Sequence, residues 1–252
     1  MSSLAALAIF AAGVAAGTVN VIVGSGSLVT FPTLLALGYP PVLANVSNTV
    51  GLTPGNISAN VAYRRELAGQ RSRLVQLGTA SVLGALGGAA LLLALPHGVF
   101  KAAVPVLVAA AALLMAFQPR MRASRLRRDQ HRAHGGVGLL AGVFLTGVYG
   151  GYFGAAQGVI LIALLAIFID DDLQRLNGTK NALVLLVNAV SGLVFIASTH
   201  VSWSVAGLIA AGSVIGGQVG GRYGRRIPAS ALRWVIVGAG LGVAIGLAVE
   251  WH

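Results

Sequence analysis

The chain has 252 residues, 56% of them hydrophobic and 9% charged, with a mean hydropathy of +0.85 and a formal net charge of +11. Soluble domains carry about a quarter charged residues, so this composition excludes an ordinary soluble domain and points to a polytopic helical membrane protein. Short segments alternating apolar and polar residues, which a transmembrane barrel needs, do not occur, and the absence of cysteine removes disulfides, thiol catalysis and thiolate metal sites together.

Hydrophobic periodicity predicts ten helical segments, at about 4–23, 26–38, 42–62, 74–95, 101–117, 137–153, 155–169, 177–198, 203–221 and 230–249. No Lys or Arg precedes the first apolar run, unlike a secretory signal peptide, so it reads as a retained helix. Three connections are basic: Arg64, Arg65, Arg71 and Arg73; Arg120, Arg122, Arg125, Arg127, Arg128 and Arg132; and Arg222, Arg225 and Arg226, with Arg233 just beyond. The positive-inside rule puts all three in the cytoplasm. The +11 charge therefore reports topology, and no nucleic-acid partner is expected. The connections near 38–41, 96–98 and 198–200 carry no Lys or Arg and suit the outside, which leaves both termini outside. Asp170, Asp171 and Asp172 then fall inside, where acids count little in that rule.

Residues 17–27 (GTVNVIVGSGS) align without a gap with residues 147–157 (GVYGGYFGAAQ). After a small insertion, 45–49 (NVSNT) falls near 177–181 (NGTKN), and 57–59 (ISA) near 190–192 (VSG). The expected fold is therefore all-α, in two repeats of about five helical segments. Residues 1–118 form the first, 119–136 a basic cytoplasmic linker and 137–252 the second. An odd number of helices per repeat inverts the second copy. Inverted repeats with broken segments at matching positions mark secondary transporters. The first two segments of each repeat serve equally as two spans or as a re-entrant hairpin, with parity unchanged.

The glycine-rich break at 24–32 (GSGSLVTFP), followed by 37–49 (LGYPPVLANVSNT), resembles the first half of the TauE/SafE family, the sulfite exporter-like membrane permeases. Residues 147–158 (GVYGGYFGAAQG) and 177–181 resemble its second repeat. The first break carries serines where many members have a run of glycines, and the second carries Ala155, Ala156 and Gln157 where they often have more glycine. The resemblance implies transport of small sulfur-containing or organic anions, sulfite and sulfonates being the named examples, across a bacterial inner membrane.

An anion in a low-dielectric interior needs donors and positive potential to replace its water shell. A helix broken inside the membrane offers unpaired N–H groups at its new N-terminus. The candidate site therefore includes Gly24, Ser25, Gly26 and Ser27 at one break and Gly154, Gln157 and Gly158 at the other. Taken alone, the glycines serve equally for a tight turn or close helix packing; their repetition favours binding. Asn45, Asn48 and Thr49 start the third segment, and Asn177, Thr179 and Asn181 the eighth. Helix capping explains some of them, and two matched clusters suggest a polar cavity. Asn56, Asn60, Asn188 and Ser191 lie deeper, where packing and substrate contact are equally open. Lys180, one of two lysines, either snorkels to the cytoplasmic surface or acts as an anion counter-charge.

The five histidines map to loops or the terminus, so a Ser–His protease pair at depth is not expected. With no buried carboxylate, cysteine or histidine cluster, no metal or cofactor is expected either. The expected partners are a small anionic substrate and the lipid bilayer, with homo-oligomerisation left open. A passive anion channel, or a carrier of small carboxylates, is the alternative.

Overall fold

The structure, a computed structural model, describes residues 1–123 and 136–223 and scattered positions between 234 and 246. Most of the tenth segment at 230–249 and most of the linker at 119–136 lie outside the described residues. The described chain is helical: α1 (Ser3–Ile22), α2 (Ser27–Ala36), α3 (Pro41–Ala62), α4 (Arg71–Ala94), α5 (His97–Ala123), α6 (Gly136–Tyr152), α7 (Gln157–Phe168), α8 (Leu173–Ser198) and α9 (Trp203–Tyr223). Among the described residues five helices are long and apolar enough to cross a membrane: α1, α4, α5, α8 and α9. This is the make-up of an integral membrane protein.

One predicted helix start moves, that of α8, while α3 begins within one residue of expectation. Asp172 caps α8, accepting the N–H groups of Gln174 and Arg175, so α8 begins at Leu173 rather than near 177. Pro41 opens α3 at its first position, where a missing N–H costs nothing. Asn45, Asn48 and Thr49, and likewise Asn177, Thr179, Lys180 and Asn181, therefore sit one to two turns inside their helices. None caps its own helix, which corrects the capping expectation.

α2 and α7 have 10 and 12 residues, about 15–18 Å at 1.5 Å per residue, against a hydrocarbon core of about 30 Å. Neither is long enough to span. α3 is long enough, with 22 residues, but carries Asn45, Ser47, Asn48, Thr49, Asn56 and Ser58 among its buried positions. Its polar faces are covered by protein, chiefly α8 and α9.

Small residues set the closest packing. A Cβ on Gly17 would lie 2.4 Å from the Ser213 carbonyl, and one on Gly216 would lie 2.0 Å from that of Val14, so α1 and α9 touch backbone to backbone. α6 and α4 do the same, with Gly147 against the Ser81 carbonyl and Gly88 against that of Val148. Lipid tails are as apolar as leucine, so close backbone approach through small residues drives such helix pairs. The main apolar cluster runs through α1, α2, α3 and α5, with Phe31, Phe100 and Phe153 at its centre in edge-to-face contact.

Candidate functional site

The two breaks end their helices in the same way. At the end of α1, Val23 and Gly24 both donate to the Val19 carbonyl, at 2.8 and 3.1 Å. At the end of α6, Phe153 and Gly154 both donate to the Tyr149 carbonyl, at 2.9 and 3.1 Å. Gly24 and Gly154 then turn left-handed, with φ of +91° and +78°, a region glycine enters without the Cβ penalty. These residues stand 130 positions apart, the offset of the gapless alignment. The breaks also meet. Gly158 donates its N–H to the Gly24 carbonyl at 3.0 Å, and a Cβ on Gly158 would lie 2.5 Å from Gly24 Cα.

The N–H groups expected to lie open at the second break are engaged. Those of Gln157, Gly158 and Val159 bond to the carbonyls of Gly154, Gly24 and Ala156. At the first break, Leu28 and Val29 donate to Ser25 and Gly26, and Gly26 donates to Asn20 Oδ1 at 3.4 Å. The serines do not converge either. Ser25 Oγ faces the Met115 sulfur at 3.4 Å, a weak acceptor, and Ser27 Oγ accepts from Asn48 Nδ2 at 3.1 Å. Asn48 is completed by the Thr30 hydroxyl, which donates to its Oδ1.

A different group of polar side chains gathers at the end of α1. Lys180 is 1% exposed, so it does not snorkel to the surface. Its Nζ donates to the carbonyls of Asn20 and Val21, at 3.3 Å each. Asn20 Nδ2 donates to Asn56 Oδ1. Asn60 Nδ2 bridges the Asn56 carbonyl at 2.9 Å and the Asn181 carbonyl at 3.1 Å, and Asn181 follows Lys180 in the chain. The contacts close a ring: Asn20, Asn56, Asn60, Asn181 and Lys180. Beside it, Asn177 Nδ2 donates to the Tyr63 hydroxyl at 2.9 Å and to the Val21 carbonyl at 3.4 Å.

Two amide groups on the ring, Asn56 Nδ2 and Asn181 Nδ2, are buried and make no hydrogen bond among the described residues. An unsatisfied buried donor costs about 1–3 kcal/mol, so each is a position where an acceptor would stabilise the protein. Gln157 Nε2 is a third such donor, packed against Gly150 at the second break. Asn20 and Asn60 are half-buried, which leaves an edge of the ring near the molecular surface.

Asn45 does at the second break what Asn177 does at the first: its Nδ2 donates to the Tyr152 carbonyl at 3.0 Å, at the end of α6. Thr49 only bonds back to the Asn45 carbonyl one turn earlier. Thr179 faces away from both breaks. Its hydroxyl donates to Gln70 Oε1, at the end of the bundle where Arg73 and Arg175 both hold Asp171, at 2.7 and 3.0 Å. Burial pushes the Asp171 carboxyl up, but the Arg73 hydrogen bond, the Asp172 N–H and the two guanidinium charges outweigh it and hold the group below its ordinary value. The acidic loop and the first basic loop thus lie together.

The ring therefore joins Lys180 and Asn181 from the sequence-based site with Asn56 and Asn60, whose role was open, and Asn20, which was missed. The signal for Asn20 was present, as a lone amide in an apolar helix four residues before its glycine break.

Comparison with known proteins bears on the whole chain. A "Probable membrane transporter protein" of Haemophilus influenzae is 27% identical over 214 residues, covering 85% of this chain and 83% of its own. "Probable membrane transporter protein ORF9" of a Sinorhizobium species is 29% identical over 243 residues, covering 96% and 92%. "Probable membrane transporter protein YfcA" of Escherichia coli K12 is 26% identical over 217 residues, covering 85% and 78%. No solved structure matches the chain. The family model described as "Sulfite exporter TauE/SafE" matches residues 9–247, and with that span covering both breaks and the polar ring, the chain belongs to the TauE/SafE family.

Proposed function

We propose that this chain is a secondary transporter that exports a small sulfur oxyanion, such as sulfite or a sulfonate, across the bacterial inner membrane with its basic loops in the cytoplasm. The observation that carries the reading is the buried Lys180 ammonium in a ring with unpartnered amide donors. A positive charge with N–H groups lacking acceptors suits an anion and disfavours a cation. The family match and the transporter names of the relatives point the same way.

The ring replaces the serines as the centre of the proposed site, with Gln157 on the second break as a further donor. Two inverted repeats underlie the design: α1 packs on α9 as α6 packs on α4, and both breaks end in the same turn. Two breaks that touch at Gly24 and Gly158 suit a pivot, with access alternating about that contact.

Among the described residues the acids Glu66, Asp170, Asp171 and Asp172 lie in loops, and none stands within a helix. Among the described residues no carboxylate relay runs through the helices. An inside-negative potential favours export of a monovalent anion by about 2.3 kcal/mol per 100 mV.

The test is flux into and out of proteoliposomes at clamped voltage, with sulfite, sulfate, methanesulfonate and acetate as probes. Sulfite or methanesulfonate is expected to move in a saturable, voltage-dependent manner, with Lys180→Ala abolishing it. Strict dependence on a pH gradient, non-saturating flux, or an unaffected Lys180→Ala variant each overturns the reading.

A further inference from the structure

The break in α1 releases particular carbonyls. Had the helix continued, Gly24 N–H would have bonded to the Asn20 carbonyl and Ser25 N–H to that of Val21, by the i to i−4 rule. The left-handed turn at Gly24 instead sends its N–H to the Val19 carbonyl. Asn20 and Val21 are the two carbonyls that Lys180 Nζ takes. They sit at the negative end of the helix dipole, in a buried setting where a cation is favoured.

In secondary transporters built on broken helices, the C-terminal carbonyls of a half-helix are where a coupling Na⁺ binds. We propose that the Lys180 ammonium is a tethered substitute for that ion: it fills the cation seat at the end of α1, so this chain operates without a coupling metal cation. The charge stays with the protein through the cycle, and only the anion crosses. The proposal rests on the anion reading above for its consequence in transport, but the seat itself is a claim about cation binding alone.

The other half of the molecule shows the contrast. The position 132 residues before Lys180, the offset that also relates Asn45 to Asn177, is Asn48, which binds Ser27 and Thr30 instead. The end of α6 is held by the neutral amide of Asn45. The first break alone has a cation built into it among the described residues. An ammonium and a metal ion cannot share this pair of carbonyls, since two cations would crowd together in a low-dielectric interior.

Thermal unfolding of the purified full-length chain in detergent tests the seat without any transport measurement, using sodium, lithium or choline chloride at equal ionic strength. The wild-type midpoint is expected to be the same in all three. Lys180→Ala is expected to unfold several degrees lower and to recover saturably with n-propylammonium, the piece of side chain removed, or with Na⁺, but not with choline. Saturable stabilisation of the wild type by Na⁺ or Li⁺ over choline overturns the proposal, and needs no variant to fold. A folded Lys180→Ala that gains nothing from either cation overturns it too.

Flux at clamped voltage, with Na⁺ replaced by choline on both sides, is the second arm. Sulfite or methanesulfonate flux by the wild type is expected to be unchanged within twofold, and a several-fold loss in choline overturns the proposal. If no probe anion moves at all, the transport reading fails, and the seat is decided by the unfolding arm.

Discussion

The N–H of Gly158 donates to the carbonyl of Gly24 across 3.0 Å, joining the two helix breaks through their backbones. Each glycine leaves no room for a side chain on the other: a Cβ on Gly24 would lie 2.6 Å from Gly158 Cα. The contact puts the start of α7 against the end of α1.

Gly158→Ala is expected to destabilise the chain by about 1–3 kcal/mol, the usual cost of overpacking a filled site. Gly24→Ala is expected to cost more, because the left-handed turn adds about 1–2 kcal/mol to the clash. Thermal unfolding in detergent orders the two, and equal midpoints for Gly24→Ala and wild type would show that the contact is not tight.

Ala156, at the start of α7, is the one non-glycine residue with positive φ among those described, at +58°. Ala156→Gly relieves the strain of that φ but removes a fully buried methyl worth about 0.8 kcal/mol, so the unfolding midpoint should stay close to that of wild type. A large rise or fall would show that one of the two effects dominates.

Ser25→Ala is expected to leave anion binding within about twofold of wild type, because its hydroxyl meets only the Met115 sulfur. Asn181→Leu should weaken binding by roughly tenfold or more, as it deletes a buried donor with no other acceptor. Isothermal binding of sulfite to both variants separates the ring from the serine break, and a reversed order would restore the serines to the site.

Asp171 gives a pH dependence whose sign follows from its depressed pKa. A carboxyl held below its unfolded value contributes stability that is present above that value and lost as pH falls through the folded one. Wild type should therefore be more stable than Asp171→Asn at neutral pH, with the gap closing below about 3.8. The pair is partly exposed, so the gap should also shrink in high salt. A gap unchanged in acid would remove the Arg73 and Arg175 contacts as its source.

The α1–α9 contact should be intolerant of bulk. Gly216→Leu forces a side chain into the Val14 carbonyl and should lower expression of folded protein sharply. Gly207→Leu, on the same helix with open space at its Cβ, should not. Fluorescence-detected size exclusion compares them.

Nine of the ten expected helical segments are legible from local pattern and found in the described residues, because apolar runs and their Gly, Pro and charged boundaries are local properties. The expected ranges for α1, α3 and α9 lie within two residues of the observed ones. The sequence also exposed the paired breaks, since glycine and its neighbours repeat at a fixed offset. Direction was beyond it. Ser25 and Lys180 are both polar residues near a break, and only packing shows that one faces a methionine while the other reaches two helix-end carbonyls. The ring of Asn20, Asn56, Asn60, Lys180 and Asn181 unites three helices separated by up to 161 positions, through hydrogen bonds that no local pattern encodes. Which face of each helix turns inward emerges only from packing, because it depends on the small residues that let α1 meet α9 and α4 meet α6.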